Sequence, residues 1–159
     1  MILVTLGTHP QPMDRLLRAI DQLAEDGVIE EPFVVQAAAF GYRPRHATIA
    51  GVRPYVWLRD QVTAADVVIS HAGPGTLAMV RSMGRVPIVV PRSATFGEHV
   101  DDHQERYAER LRSAEGYLVV TDLGELASTI ERARSGRYRP SPADVSVAVA
   151  ALEAVLARA

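Results

Sequence analysis

Three short polar clusters hold the residue types that could do chemistry in this chain: "GTHPQP" at residues 7–12, "SHAGPGT" at 70–76 and "GEHVDDHQ" at 97–104. In the second, Gly73 and Gly75 let the chain turn sharply and leave the first backbone N–H groups of a following helix uncovered. Pro74 sits where a donor would be orphaned in any case. A helix N-terminus with free N–H groups and a positive dipole end takes an anion, and Thr76 adds a hydroxyl, so phosphate or diphosphate is the natural occupant. The structural alternative is a plain Gly/Pro strand-to-helix turn capped by Thr76. In the first cluster Gly7 and Thr8 can bring backbone and hydroxyl to the same anion, with His9 beside them. His71 and His9 suit either a donor role toward a ligand or the satisfaction of polar strand ends.

The third cluster raises the question of a metal, because His99 and His103 are four residues apart and flank Asp101 and Asp102. Two histidines at that spacing share a helix face only if both are helical. Asp101 reads as the N-cap and Asp102 as first-turn, which places His99 before the helix, so capping and polar contacts account for the pattern and no metal is expected. No Ser/His/Asp order, P-loop lysine or G-x-G-x-x-G fingerprint is present.

These clusters need a scaffold that brings them together, and the pattern of apolar runs supplies one. Strand-like runs at Met1–Leu6, Phe33–Ala38, Val67–Ser70, Val86–Val90 and Tyr117–Thr121 alternate with helical stretches at Met13–Glu25, Gly75–Met83, Asp101–Ser113 and Gly124–Arg134. Such alternation predicts an α/β fold, a Rossmann-like parallel sheet with helices on both faces. Each cluster follows a strand, and in open parallel sheets ligands bind beyond the carboxyl ends of strands, so the three converge on one crevice. Pro44 and Pro54 forbid one long element across residues 41–58, where loop with short strands is expected. Residues 1–134 then form one domain, 135–142 a basic, Pro/Ser/Gly-containing linker, and 143–159 a last helix, apolar on more than one face, that packs on the domain or docks another chain.

Composition excludes several classes. The chain has 159 residues, 48% hydrophobic and 23% charged, with a net charge of -2, which gives no nucleic-acid footprint. Without cysteine there is no disulfide, thiol nucleophile or thiolate metal site. All 17 basic residues are arginine, a side chain suited to phosphate and carboxylate partners. The apolar runs are too short for a membrane span, and the N-terminus lacks the basic region of a signal peptide, so the expectation is a cytoplasmic protein.

The segments "VTLGTHPQPMDRLL", "DVVISHAGPGT", "RVPIVVPR" and "GEHVDDHQERYAERL" stand in an order and spacing that resemble the C-terminal, donor-binding half of family-28 glycosyltransferases. The likeness runs from Met1 to about Ala133. It is closest to the small subunits of split bacterial exopolysaccharide glycosyltransferases, which are similar in turn to the catalytic subunit of the split N-acetylglucosaminyltransferase of dolichol-linked oligosaccharide synthesis. The resemblance implies half of a GT-B enzyme that needs no cofactor and takes a nucleotide-diphosphate sugar, usually a UDP-sugar, as donor. Its partner would be a membrane-associated subunit that binds a lipid-linked acceptor and holds this chain at the inner face of the membrane.

By the same resemblance, Gly7, Thr8 and His9 lie by the diphosphate, and His71, Gly73, Gly75 and Thr76 form the anion-binding turn. Glu98, Asp102, His103 and Gln104 face the donor's sugar hydroxyls. Arg92 is a weaker candidate for phosphate. Met79 stands where the family commonly has an acid that accepts from the ribose hydroxyls. A thioether is a poor substitute, which motivates a second expectation, a non-catalytic scaffold or regulatory module. An uncovered docking surface would also drive homo-oligomers of the isolated chain.

Overall fold

A computed structural model of the chain describes residues 1–135. The expected linker from residue 136 onward and the last helix lie outside the described residues. Six strands, β1 (Ile2–Thr5), β2 (Phe33–Gln36), β3 (Ala47–Ala50), β4 (Val67–Ser70), β5 (Pro87–Val89) and β6 (Leu118–Val119), form one sheet in the order β3-β2-β1-β4-β5-β6. Every pairing is parallel. The helices are α1 (Asp14–Glu25), α2 (Tyr55–Ala64), α3 (Pro74–Ser82), α4 (His103–Arg112) and α5 (Leu126–Arg134), with single 3₁₀ turns at Ala94–Phe96 and Leu123–Glu125.

The strands are apolar at successive positions because both faces of the sheet are covered. Ile2, Val4, Val67 and Ile69 point to one side, where Leu16, Leu17 and Ile20 of α1 and Leu126 and Ile130 of α5 join them. Leu3 and Val68 point to the other, with Val62 of α2 and Met79 and Val80 of α3. Ala72, Leu77, Val89, Ala108 and Leu111 continue that layer under α4.

Two features differ from the sequence reading. Residues 41–58 were expected to be loop with short strands; β3 is such a strand, but the segment also holds the start of α2, whose first residue follows Pro54 directly. The helix was hard to read because Val62 is its one buried residue, so it carries almost no apolar period, and Pro54 marks its start rather than a break. The connection from β2 is pinned by Asp21, buried on α1, which accepts from the Tyr42 hydroxyl and from the backbone N–H groups of Arg45 and His46. Burial alone would raise its pKa, but these bonds overcome it and hold the carboxyl well below the usual range.

The second difference is Met79. It is 2% exposed and packs among Leu3, Val62, Ala65, Val68 and Val80, so its side chain belongs to the core.

Strand register sets up the site. Thr5 is level with Gln36 on one side and Ser70 on the other, and Ser70 is level with Val89. The turns after β1, β4 and β5 therefore leave the sheet side by side. Strand order reverses at β1, which has β2 on one side and β4 on the other; that is the switch point where open α/β sheets form their crevice.

Candidate functional site

At the switch point the first two clusters pack against each other through the His71 ring. Gly7 has φ +72°, a left-handed conformation that favours glycine, and a Cβ there would lie 2.8 Å from His71 Cε1. A Cβ on Gly73 would lie 2.3 Å from His71 Nε2. Both glycines are needed for the imidazole to fit between the turns. His71 Nδ1 lies 3.3 Å from the Thr5 carbonyl oxygen, which can only accept, so the Nδ1 position carries the proton and Nε2 is left with its lone pair. Burial, and then the Arg92 charge, push the His71 pKa down to about 4 against the opposing effect of the Thr5 contact. The ring is neutral at neutral pH.

Gln36 fixes the first turn from the β2 side. Its Oε1 accepts from Thr5 Oγ1 at 2.8 Å and its Nε2 donates to the Gly7 carbonyl at 3.1 Å. Helix α3 begins with Gly73 as N-cap and Pro74 as first residue, and among the described residues no side chain caps it. Helix geometry gives the N–H groups of Gly75 and Thr76 no intrahelical acceptor. They border a cavity of about 300 Å³ lined by Gly7, Thr8, Gln36, Arg53, Leu58, His71, Gly73, Pro74, Gly75 and Thr76. Gln36, Arg53 and Leu58 were not singled out from the sequence. The last two enter with α2 and the turn before it, the segment whose helix the apolar pattern concealed.

The loop after β5 joins the crevice by way of Arg92. Its buried guanidinium donates to the carbonyl oxygens of Leu6 at 2.9 Å, Gln11 at 2.7 Å and Glu98 at 3.1 Å. Arg92 thus clamps the loop after β1 onto the loop after β5, with its Nη1 and Nη2 donors turned toward backbone carbonyls.

The residues assigned to the sugar are placed unequally. Glu98 is 2% exposed; it takes a bidentate contact from Arg15 at 3.0 and 3.2 Å and accepts from the Ser93 N–H at 3.1 Å. Gln104 is buried, with its amide oxygen accepting from the Arg92 N–H at 3.2 Å. Asp102 is exposed, occupies the N-cap position of α4 and pairs with Arg106 at 3.1 Å. Asp101, expected to be the N-cap, lies one residue earlier but does perform the capping bond, accepting from the His103 N–H at 3.1 Å.

His103 is exposed and meets His99 edge-on, and His99 stacks on His9. His9 follows Thr8 of the cavity wall, so the loop after β1 runs from the pocket into this histidine group. Burial, followed by the charges of Arg92, His99 and His103, lowers the His9 pKa.

A parallel sheet with helices on both faces and a glycine-rich strand-to-helix turn at its switch point defines one Rossmann-like unit. The chain belongs to the glycosyltransferase family 28 C-terminal domain family, whose pattern matches residues 1–151. It is 38% identical over 89 residues, 54% of its length, to the UDP-N-acetylglucosamine-N-acetylmuramyl-(pentapeptide) pyrophosphoryl-undecaprenol N-acetylglucosamine transferase of Xanthomonas campestris pv. campestris. To the transferase of the same name in Trichlorobacter lovleyi it is 32% identical over 115 residues, 69% of its length. The chain spans 19% and 26% of those two relatives.

Among solved structures, the glycosyltransferase SnogD from Streptomyces nogalater matches with TM-score 0.52 at 20% identity, covering 99% of this chain and 43% of that one. Spinosyn forosaminyltransferase SpnP matches with TM-score 0.57 at 16% identity, covering 98% and 39%. These likenesses are of fold, and the fold is half of the GT-B arrangement.

Proposed function

We propose that this chain is the donor-binding part of an inverting glycosyltransferase of two components, taking a UDP-sugar for the synthesis of a polysaccharide or lipid-linked glycan. The observation that carries the reading is the α3 N-terminus. Its Gly75 and Thr76 N–H groups face an open cavity whose shape depends on the Gly7–His71–Gly73 packing. Donors fixed there stabilise the negative charge that grows on a departing diphosphate. The acceptor hydroxyl oxygen attacks the anomeric carbon with inversion, the bond from that carbon to phosphate oxygen breaks, and the hydroxyl proton passes to a base on the partner.

The preference for uridine follows the names of the relatives, both of which use UDP-N-acetylglucosamine. The partner is a membrane-associated chain that holds a lipid-linked acceptor at the cytoplasmic face. Among the described residues no helix is long and apolar enough to cross a membrane.

The scaffold reading drew on Met79. Its burial makes the position a core site rather than an open place where an acceptor is missing, and the apolar last helix that also favoured that reading lies outside the described residues.

Calorimetric titration of the purified chain with UDP, TDP, GDP and ADP tests the proposal. UDP is expected to bind most tightly, and Thr76→Ala is expected to weaken it about tenfold, the loss of one hydrogen bond to a charged group. Failure of every nucleotide diphosphate to bind would overturn the reading of the cavity as a donor site.

A further inference from the structure

Beside the cavity, two loops bring three imidazoles and a carboxylate into contact. His9 comes from the loop after β1, and His99, Asp101 and His103 from the approach to α4. The His9 and His99 rings stack with centroids 4.7 Å apart and 28° between planes, and His103 meets His99 edge-on at 4.4 Å and 89°. Asp101 Oδ1 lies 3.3 Å from His99 Nδ1 and also contacts His103 Nδ1. One donor atom each from His99, Asp101 and His103 falls within 4.8 Å of the others.

From this geometry we propose a divalent-cation site formed by His99, Asp101 and His103, with Zn²⁺ as its ion. Two ligands of one tetrahedral zinc, each about 2.0–2.1 Å from the metal, stand roughly 3.3 Å apart, the spacing already held between Asp101 and His99. Two imidazole nitrogens with one carboxylate oxygen suit zinc, whereas Mg²⁺ and Ca²⁺ call for oxygen ligands throughout. His99 is buried and His103 and Asp101 are exposed, so the ion enters from solvent and meets a fixed ligand at the inner end. The His9 ring, stacked on His99, holds that ligand's orientation as an outer support.

Three protein ligands leave a fourth position open to water or to a ligand oxygen. The cation site stands apart from the donor reading; only the identity of an oxygen arriving from the crevice rests on it.

The test uses the full chain without a histidine tag, titrated with Zn²⁺ against a chromophoric chelator, with Mg²⁺ in parallel and no nucleotide present. One Zn²⁺ is expected to bind with Kd at or below about 10 µM, with His103→Ala and Asp101→Asn each weakening it by at least about tenfold. Mg²⁺ should not compete, and His46→Ala, a histidine just before β3 that is held by Asp21, should bind zinc as the parent does. His103 and Asp101 are exposed, so those variants should keep the parent's fold, checked by circular dichroism.

Absence of saturable zinc binding, or binding indifferent to both substitutions, would overturn the site and leave Asp101 as a helix cap shared by two histidines. A chain that binds zinc but no UDP would retain this inference and lose the donor reading.

Discussion

The two sides of the crevice begin from similar sequence, a polar cluster after a strand, and end in different physical states. On the α3 side the available groups are backbone N–H donors at a helix start, which the helix itself cannot satisfy, and they border open space. On the α4 side the groups are side chains, and side chains can find partners within the protein. Glu98 is engaged by Arg15 and the Ser93 N–H, and Gln104 by the Arg92 N–H. One side leaves its donors open to a cavity; much of the other is the brace that keeps the loops together, with His103 and Asp102 exposed but held by Asp101 and Arg106.

The largest expected effect tests the core position beside the open side. Met79→Glu would place an unpaired carboxylate among Leu3, Val62 and Val68. It should cost more than about 3 kcal/mol in urea unfolding and should not tighten UDP binding. Tighter UDP binding without loss of stability would show that the side chain turns to the crevice.

On the brace, Glu98→Ala leaves Arg15 without its buried partner and should destabilise the fold by about 3 kcal/mol, while UDP affinity of the folded protein changes by less than about threefold. A large drop in affinity with little loss of stability would make Glu98 a ligand contact.

His71 gives the pH dependence. Its folded pKa of about 4 lies below the ordinary value of 6.5, so the folded state binds fewer protons than the unfolded one between those limits. Stability should therefore rise with pH through that window. Acidification from 6.5 to 4 should remove up to about 3 kcal/mol, with a flatter profile in His71→Gln. UDP, by placing negative charge near the ring, should reduce the loss.

The smallest effect belongs to Asp102, exposed and paired with exposed Arg106; Asp102→Ala should alter stability by less than about 1 kcal/mol.

Much of the frame could be read from the residues. Strands at 2–5, 33–36, 67–70 and 87–89, helix α1 with its Leu16, Leu17 and Ile20 face, and the meeting of three strand-end loops follow from apolar period and from the rule on parallel sheets. The turn into α3 was legible because glycine, proline and helix polarity are local properties. The concealed parts depend on distant partners or on a missing period.

Helix α2 buries one residue and so lacks a stripe. Helix α3 buries Leu77, Met79, Val80 and Arg81, a spread over which spacing cannot say which side chain faces the crevice. The partner of Glu98 is 83 residues away in the chain, and that of Gln104 is a backbone N–H, neither of which a motif displays. Capping differed by one residue, the usual uncertainty of a helix start, with Asp102 at the N-cap and Asp101 providing the bond.

The central claim is that a diphosphate rests on the N–H groups that open α3. Following backbone amide resonances of ¹⁵N-labelled protein during UDP addition tests it most directly. The largest saturable shifts are expected at Gly75 and Thr76, with smaller ones at Gly7 and His71, and near silence at Ser93. Shifts centred on α4 with Gly75 and Thr76 unmoved would contradict it.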